Sequence, residues 1–589
     1  MMDRLFQNHR TRIRESLEGV WDFGKLRALS FDEVSENIDY SYKVAVPGCW
    51  EMHPQLLTYR GQGIYRRSIY IHHPSHVRLL FKGVSHTAKV FWDGQQVAEH
   101  YNAYTAFDTM ITNVQQGYHE LCVAVDNSFG QHSALHIPND YYTYGGIIWP
   151  LIMEIIPLQS CLIQSVQFTP VKEDWTKNEH GHWQAKVRIA LQSHADHTIK
   201  GHIKFGLSPL QQATIWEQEL PEITIEAGQH LEFLHTFTFS DIESWCPDHP
   251  YLYEWQTFWY QHESSSIELV DDWIERVGFR TIQTHEEKLL LNNEPIVLKG
   301  FNRHEDHPMV GASFPIALMV QDLDLMIHTG ANAVRTSHYP NDERFLDLCD
   351  EYGILVWEEN HARGLSIENM RHPQFIEQCE QVNREMVYQH YNHPSIIIWA
   401  ILNECASDLE EGRIHYQRQL EQIRNLDNSR PLSFASHHRE NEICFDLADI
   451  VSFNLYPGWY GDEDPEELCD LARGWADQAG GKGKPMIMSE FGADGFYGYR
   501  SPTRVKGTEE RQADIIESNL TAYTQREYIS GMFIWQFCDC RVTEEGIWPM
   551  IRARTQNNKG IVDAYRRPKL AYEVVTRYFK GSDEALNGE

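Results

Sequence analysis

From about residue 283 onward the sequence repeats one pattern eight times: an apolar run short enough for a strand, then a segment with helical periodicity. The runs are "PIVLKGFN" (295–302), "ANAVRTS" (331–337), "GILVWEEN" (353–360), "SIIIWAILNE" (395–404), "PLSFAS" (431–436), "IVSFNLYP" (450–457), "PMIMSEFG" (485–492) and "GMFIWQFCD" (531–539). Runs apolar on both faces require cover on both faces, which is the mark of a parallel sheet with helices outside it. Amphipathic segments such as "ALMVQDLDLMIHTG" and "DERFLDLCDEYG" supply that cover, and "VDAYRRPKLAYEVV" reads as the closing helix. Eight units in this length predict a (β/α)8 barrel over 283–589. Upstream, short runs alternate polar and apolar residues between Gly, Asn, Asp and Pro. They predict a β-sandwich over 1–158 and an immunoglobulin-like sandwich over 159–282.

Charge and cysteine usage narrow the function classes. Lys and Arg number 51 and Asp and Glu 84, for a net charge of −33, which disfavours nucleic acid and anionic membrane as partners. The first residues contain no apolar leader, and no run is long enough to span a bilayer. Eleven cysteines without a CxxC pair suit free thiols in a reducing, cytoplasmic setting. The one HxxH, His304/His307, has no third ligand at zinc spacing, so neither a metal nor another cofactor is expected.

In a barrel of this kind the C-terminal strand ends carry the chemistry. The fourth run ends in Asn403-Glu404 and the seventh contains Ser489-Glu490. Two carboxylates on one mouth suit glycoside cleavage: one protonates the leaving oxygen, the other attacks the anomeric carbon. A retaining enzyme holds them about 5–5.5 Å apart, and strands 4 and 7 are expected to face one another. Arg335, ending the second strand, can hold one Glu ionised. Asn403 is placed to meet the sugar 2-hydroxyl. Tyr456 is placed to hydrogen-bond the nucleophile, Trp535 to offer a flat face to the ring, and His338 and Asn454 to line the rim.

The ordered set "GFNRHEDHP", "NAVRTSHYP", "WAILNE", "SFNLYPGWY", "SEFG" and "FIWQF" resembles glycoside hydrolase family 2 over essentially the whole chain. The resemblance implies a sugar-binding jelly roll as the first sandwich, Glu404 as acid/base and Glu490 as nucleophile. "NDYYTYGGI" (139–147), "NLYPGWY" (454–460) and "NNK" (557–559) are most similar to the β-glucuronidases of that family. By that likeness Asp140 reaches the barrel mouth, His304 touches a sugar hydroxyl, and the protein is a homo-oligomer, a tetramer or dimer. Tyr460 is placed toward the sugar's carboxylate side. Two features depart from the pattern: Cys405 stands where Pro is usual, and the third strand ends "WEENHARG" where an Asp-Glu-Thr type of sequence is expected.

The stretch "RTQNNKG" (554–560) lies in the loop after the last strand, on the catalytic face. A uronic acid carries a carboxylate at C6 where a neutral hexose carries CH2OH. The Lys559 ammonium and the Asn557 amide suit that carboxylate, whereas Arg552 and Arg554 lend field or are solvated. The expectation is a retaining exo-β-glucuronidase acting on small β-glucuronides. A β-galacturonidase or β-galactosidase is the rival within the family, and a non-catalytic carbohydrate-binding protein the rival outside it.

Overall fold

The computed structural model describes residues 3–26, 38–130, 132–172, 181–262, 266–546 and 552–581. Its eight-stranded parallel sheet consists of β1 (Leu298–Asn302), β2 (Ala333–Thr336), β3 (Leu355–Glu359), β4 (Ile396–Ala400), β5 (Leu432–Ser433), β6 (Val451–Asn454), β7 (Met486–Phe491) and β8 (Ile529–Ile534). The order is β5-β4-β3-β2-β1-β8-β7-β6. The two ends meet where the chain just past β5 runs beside β6: Ser436 N–H donates to Ser452 O at 3.0 Å and Asn454 N–H to Ser436 O at 2.8 Å. The result is a barrel closed to within that seam.

Every residue of β2 through β8 is buried, which is why the sequence runs carry no polar alternation. The helices α1 (Ile316–His328), α2 (Glu343–Tyr352), α3 (Phe375–His390), α4 (Glu410–Leu426), α5 (Pro465–Ala476), α6 (Glu509–Thr524) and α7 (Leu570–Lys580) surround it. Local sequence sets their ends. Asp342 caps α2 by accepting from Arg344 N–H, and Gly353, at φ 73°, closes it in the left-handed conformation.

Two expectations need correction. The closing helix begins only at Leu570, because Pro568 and the turn at Asp563–Arg567 hold 562–569 in loop conformation. β4 and β7 do not lie opposite one another, since β5 and β6 are all that separates them.

Strands up to Ile156 form sheets of four, six and two strands, the first sandwich. Strands from Cys161 to Val277 form sheets of three and five, the second. Trp21 and Trp50 fill the first core, Trp183, Trp255 and Trp259 the second. Buried Arg4 ties the three units. Its guanidinium meets Glu275 of the second sandwich at 3.0 Å and Asp347 and Glu343 of α2 at 2.7 and 3.0 Å. Among the described residues no helix is long and apolar enough to cross a membrane.

Candidate active site

The mouth is built on a chain extension that leaves β4 abruptly. The strand stops at Ala400 rather than at Glu404, because Leu402 and Glu404 both take left-handed backbone, at φ 48° and 53°. Such strain costs about 1–3 kcal/mol per residue and persists only where surroundings overdetermine it. Here Leu402 N–H donates to Asn360 Oδ1, Leu402 O accepts from Tyr416 hydroxyl, and Glu404 N–H donates to Ala435 O. The kink swings consecutive side chains, Asn403 and Glu404, into the same space.

Glu490 comes from within β7 and is buried. Its Oε1 accepts from Arg335 Nη1 at 2.9 Å and its Oε2 from Tyr456 hydroxyl at 2.7 Å. Tyr456 is placed by Leu455 N–H donating to Glu490 O just beyond β6. Glu404 is the more open carboxylate, 17% exposed. Its Oε1 accepts from Asn454 Nδ2 at 3.0 Å, and its Oε2 lies 3.5 Å from Arg363 Nη2. The two groups feel one another. Burial and the charge of Glu404 push Glu490 up to about 8, while Arg335, the Tyr456 hydroxyl and Arg363 pull it back. With the Glu404 charge beside it, Glu490 therefore retains its proton into the neutral range.

Arg335 organises the floor. It bonds both carboxylate oxygens of Glu359 at 2.9 and 3.0 Å, Asn302 Oδ1 at 2.9 Å and Asn403 Oδ1 at 2.6 Å, as well as Glu490. It thus holds two carboxylates where one was expected. Asn454 joins both sides by donating to Asn403 Oδ1 and Glu404 and accepting from Ser489 hydroxyl. His338 Nδ1 pairs with Glu359 at 2.7 Å, and its Nε2 lies 3.6 Å from Glu490. Asn454 and His338 are fully buried beneath the mouth and are not rim residues.

The wall comes from β1, β8 and the first sandwich. Trp535, directly after β8, stacks on His338 at 5.0 Å and meets His304 edge-on at 5.4 Å. His304 Nδ1 faces Tyr339 hydroxyl at 3.2 Å, and its other face stacks on Tyr141. His304 Nε2 and Asn403 Nδ2 are buried polar atoms without a protein partner, the kind of group a bound sugar hydroxyl satisfies. Burial lowers His304 to about 3 and His338 well below its ordinary value, so both are neutral hydrogen-bonding rings at physiological pH.

The sandwich loop at 139–144 enters the barrel mouth. Thr543 N–H donates to Asn139 O and Thr543 hydroxyl to Tyr141 O, stitching it to the loop after β8. Asp140 is thereby buried beside Arg552 Nη2 at 2.8 Å, Asn557 Nδ2 at 3.2 Å and Arg363 Nη2 at 3.3 Å. Burial works against its charge, yet Arg363, Arg552 and Lys559 hold its carboxyl down at about 2. Arg552 is thus an ion-pair member rather than a solvated residue.

Lys559 is buried on the same side, its ammonium 3.0 Å from Asp494 Oδ1 and 5.2 Å from the rings of Trp459 and Tyr460. Tyr460 is 54% exposed and forms the outer edge there, 3.4 Å from Arg552. Asn558 turns its amide into the carbonyls of Ala553 and Gln556. All thirteen sequence candidates thus gather at one mouth, but Asn557 and Lys559 already have protein partners there, Asp140 and Asp494. Residues 547–551 of this loop lie outside the described residues.

Sequence reasoning missed Arg363, Glu359, Tyr141, His361 and Asp494. Arg363 and His361 stand in "WEENHARG", where the departure from the expected pattern was itself the signal. Arg363 bonds the Asn139 side chain and bridges Asp140 to Glu404. Asp494 is four residues past Glu490 on the loop after β7, and no local sequence signal marks it.

The chain matches the family description "Glycosyl hydrolases family 2, TIM barrel domain" over residues 282–581 and "Glycosyl hydrolases family 2" over 163–280. It is similar to a solved family 2 β-galacturonidase from Eisenbergiella tayi bound to galacturonate, at 43% identity, with 98% of this chain and 99% of that one covered and a TM-score of 0.88. A Bifidobacterium dentium β-glucuronidase complexed with coumarin-3-O-glucuronide shares the fold, at 24% identity, 98% coverage of each chain and a TM-score of 0.85. A β-glucuronidase of Felis catus is 27% identical over 542 residues, covering 85% of this chain and 78% of that protein. A barrel match over residues 282–581 and an end-to-end relative at 43% identity make this chain a member of glycoside hydrolase family 2.

Proposed function

We propose that the protein is a retaining exo-β-uronidase and that its preferred sugar is a β-D-galacturonide rather than a β-D-glucuronide. The observation that carries the uronide reading is a coupled carboxylate pair, Glu404 and Glu490, on the same mouth as the buried cation Lys559. A buried cation beside a sugar site favours an anionic sugar over a neutral one. The preference for galacturonide, which revises the sequence expectation, is supported by the 43% identical β-galacturonidase aligned over 98% of this chain. A second support is Arg363. It comes from the segment that departs from the β-glucuronidase pattern, and it lies between Asp140 and Glu404. Galacturonate and glucuronate differ only in the orientation of the 4-hydroxyl, so a donor such as Arg363 in the pocket wall is the kind of group that separates them.

The steps follow from the geometry. The pair enters the reaction with one proton. As the glycosidic oxygen approaches, the proton held at Glu490 passes to the more open Glu404, which donates it to that oxygen, while Arg335 and Tyr456 stabilise Glu490 as the attacking anion. Glu490 forms a bond to C1 as the C1–aglycone bond breaks, and the alcohol departs. Glu404, now ionised, takes a proton from water, and that water displaces Glu490 to release the uronic acid with retained configuration. His304 Nε2 and Asn403 Nδ2 bind hydroxyls, and Trp535 supports the ring face. A panel of p-nitrophenyl β-galacturonide, β-glucuronide, β-galactoside and β-glucoside tests the reading. The expected order of kcat/KM is galacturonide, then glucuronide, with both neutral glycosides far below. Glucuronide first would overturn the sugar preference, and a neutral glycoside first would overturn the uronidase reading.

A further inference from the structure

We propose that Asp494 is the resident counterion of Lys559, an anion that the substrate carboxylate displaces on binding and that returns to expel the uronate product. This rests on the uronidase reading. The Lys559 side chain is 1% exposed, so its ammonium needs an anion whenever the site is empty. Asp140 also lends Lys559 its field, but its direct contacts go to Arg363, Arg552 and Asn557, and the ammonium's own ion pair is with Asp494. Asp494 meets Lys559 at 3.0 Å with its own side chain 18% exposed, so it can turn toward water when displaced. Its placement is built rather than incidental. Gly495 N–H donates to Asn558 O at 3.0 Å, tying the Asp494 segment to the loop that carries Lys559.

Counting charges gives the same result. The mouth holds four cations, Arg335, Arg363, Arg552 and Lys559, against five carboxylates, Asp140, Glu359, Glu404, Glu490 and Asp494, and the proton held at Glu490 leaves four negative charges in the empty site. A uronate adds a fifth. It gains from Lys559 only the difference between itself and Asp494, so capture is moderate and release is assisted by a like charge. Asp494 is then a positioning and specificity residue, acting through Lys559.

The test is inhibition by free galacturonate, with galactose as the neutral control, measured against aryl β-galacturonide turnover in the wild type, Asp494→Asn, Asp494→Ser and Asp494→Glu. The expected result is a galacturonate Ki about tenfold lower in Asp494→Asn and Asp494→Ser, a lower kcat from slower release, an unchanged galactose Ki, and recovery in Asp494→Glu. A galacturonate Ki that rises or stays within twofold in both charge-removed variants overturns the counterion role while leaving the uronidase reading intact. A wild type that binds galactose as well as galacturonate overturns both.

Discussion

Replacing Lys559 by Met removes the ammonium while keeping an apolar stem against Trp459 and Tyr460. Breaking a buried ion pair from one side costs about 3–5 kcal/mol. That figure would apply whole only if Lys559 were unpaired in the empty site. It is not: Asp494 stands 3.0 Å away, so the substrate exchanges one carboxylate for another. The net loss for a uronide should therefore be nearer 2–3 kcal/mol, about 30- to 150-fold in kcat/KM. An aryl β-galactoside presents CH2OH to the same spot and should change by less than about threefold. The assay is kcat/KM for p-nitrophenyl β-galacturonide and β-galactoside on the same preparation, with circular dichroism as the folding control. Equal losses on both substrates, or a loss below fivefold on the uronide, would refute the assignment of Lys559 to the sugar carboxylate.

The catalytic roles separate by azide rescue. Glu404→Ala should regain turnover with azide and give the β-glycosyl azide, Glu490→Ala should give the α-anomer, and the reverse pattern would exchange the two assignments. Loss of the one proton that the two carboxyls bring to the reaction predicts an alkaline limb of kcat/KM near pH 8, where Glu490 gives it up and none remains for Glu404 to donate. Tyr456→Phe removes a donor to the anion and should move that limb upward, so a downward move would contradict the hydrogen bond as drawn. Stability also carries a sign. Burial raises Glu51 and Glu490 to about 8, so between the unfolded value near 4.5 and pH 8 the folded state holds protons that the unfolded chain releases. Stability from these groups falls as pH rises through that range. Histidines buried neutral, such as His304 and His361, act in the opposite sense only up to about 6.5. From pH 7 to 8.5 the carboxyls dominate, at about 1 kcal/mol each, and Tm should drop; a rising Tm would show that the two groups are not held protonated.

What the sequence revealed and what it hid divide along a physical line. The eight strands were legible because burial on both faces leaves an unbroken apolar run, and "SIIIWAIL" has no other economical placement. Glu404 and Glu490 were legible because a carboxylate at the end of such a run must be compensated. The kink at Leu402–Glu404 was invisible, since nothing local demands left-handed backbone there. It is imposed by Asn360, Tyr416 and Ala435, far away in sequence. Partners of charged groups were equally hidden. Lys559 and Asp494 are 65 residues apart, and Asp140 and Arg552 are 412 apart. A motif names the cation but not the anion already holding it.

On the proposed reading that gap matters for specificity, because substrate binding becomes an exchange rather than an addition. The chain carries 33 excess negative charges, and a uronide is itself an anion. An unopposed Lys559 would offset that field but would also hold the product. Asn557 pairs with Asp140 and Lys559 with Asp494, so each has a resident acid beside it in the empty site. A neutral sugar would bury Asp494 without supplying a replacement anion and gain nothing at Lys559. A uronate supplies that anion and frees Asp494 for water. Selectivity for the charged sugar then arises from two terms, the bond made and the resident acid released. Because the second is a difference between two carboxylates, it can be tuned at Asp494 without touching Glu404 or Glu490.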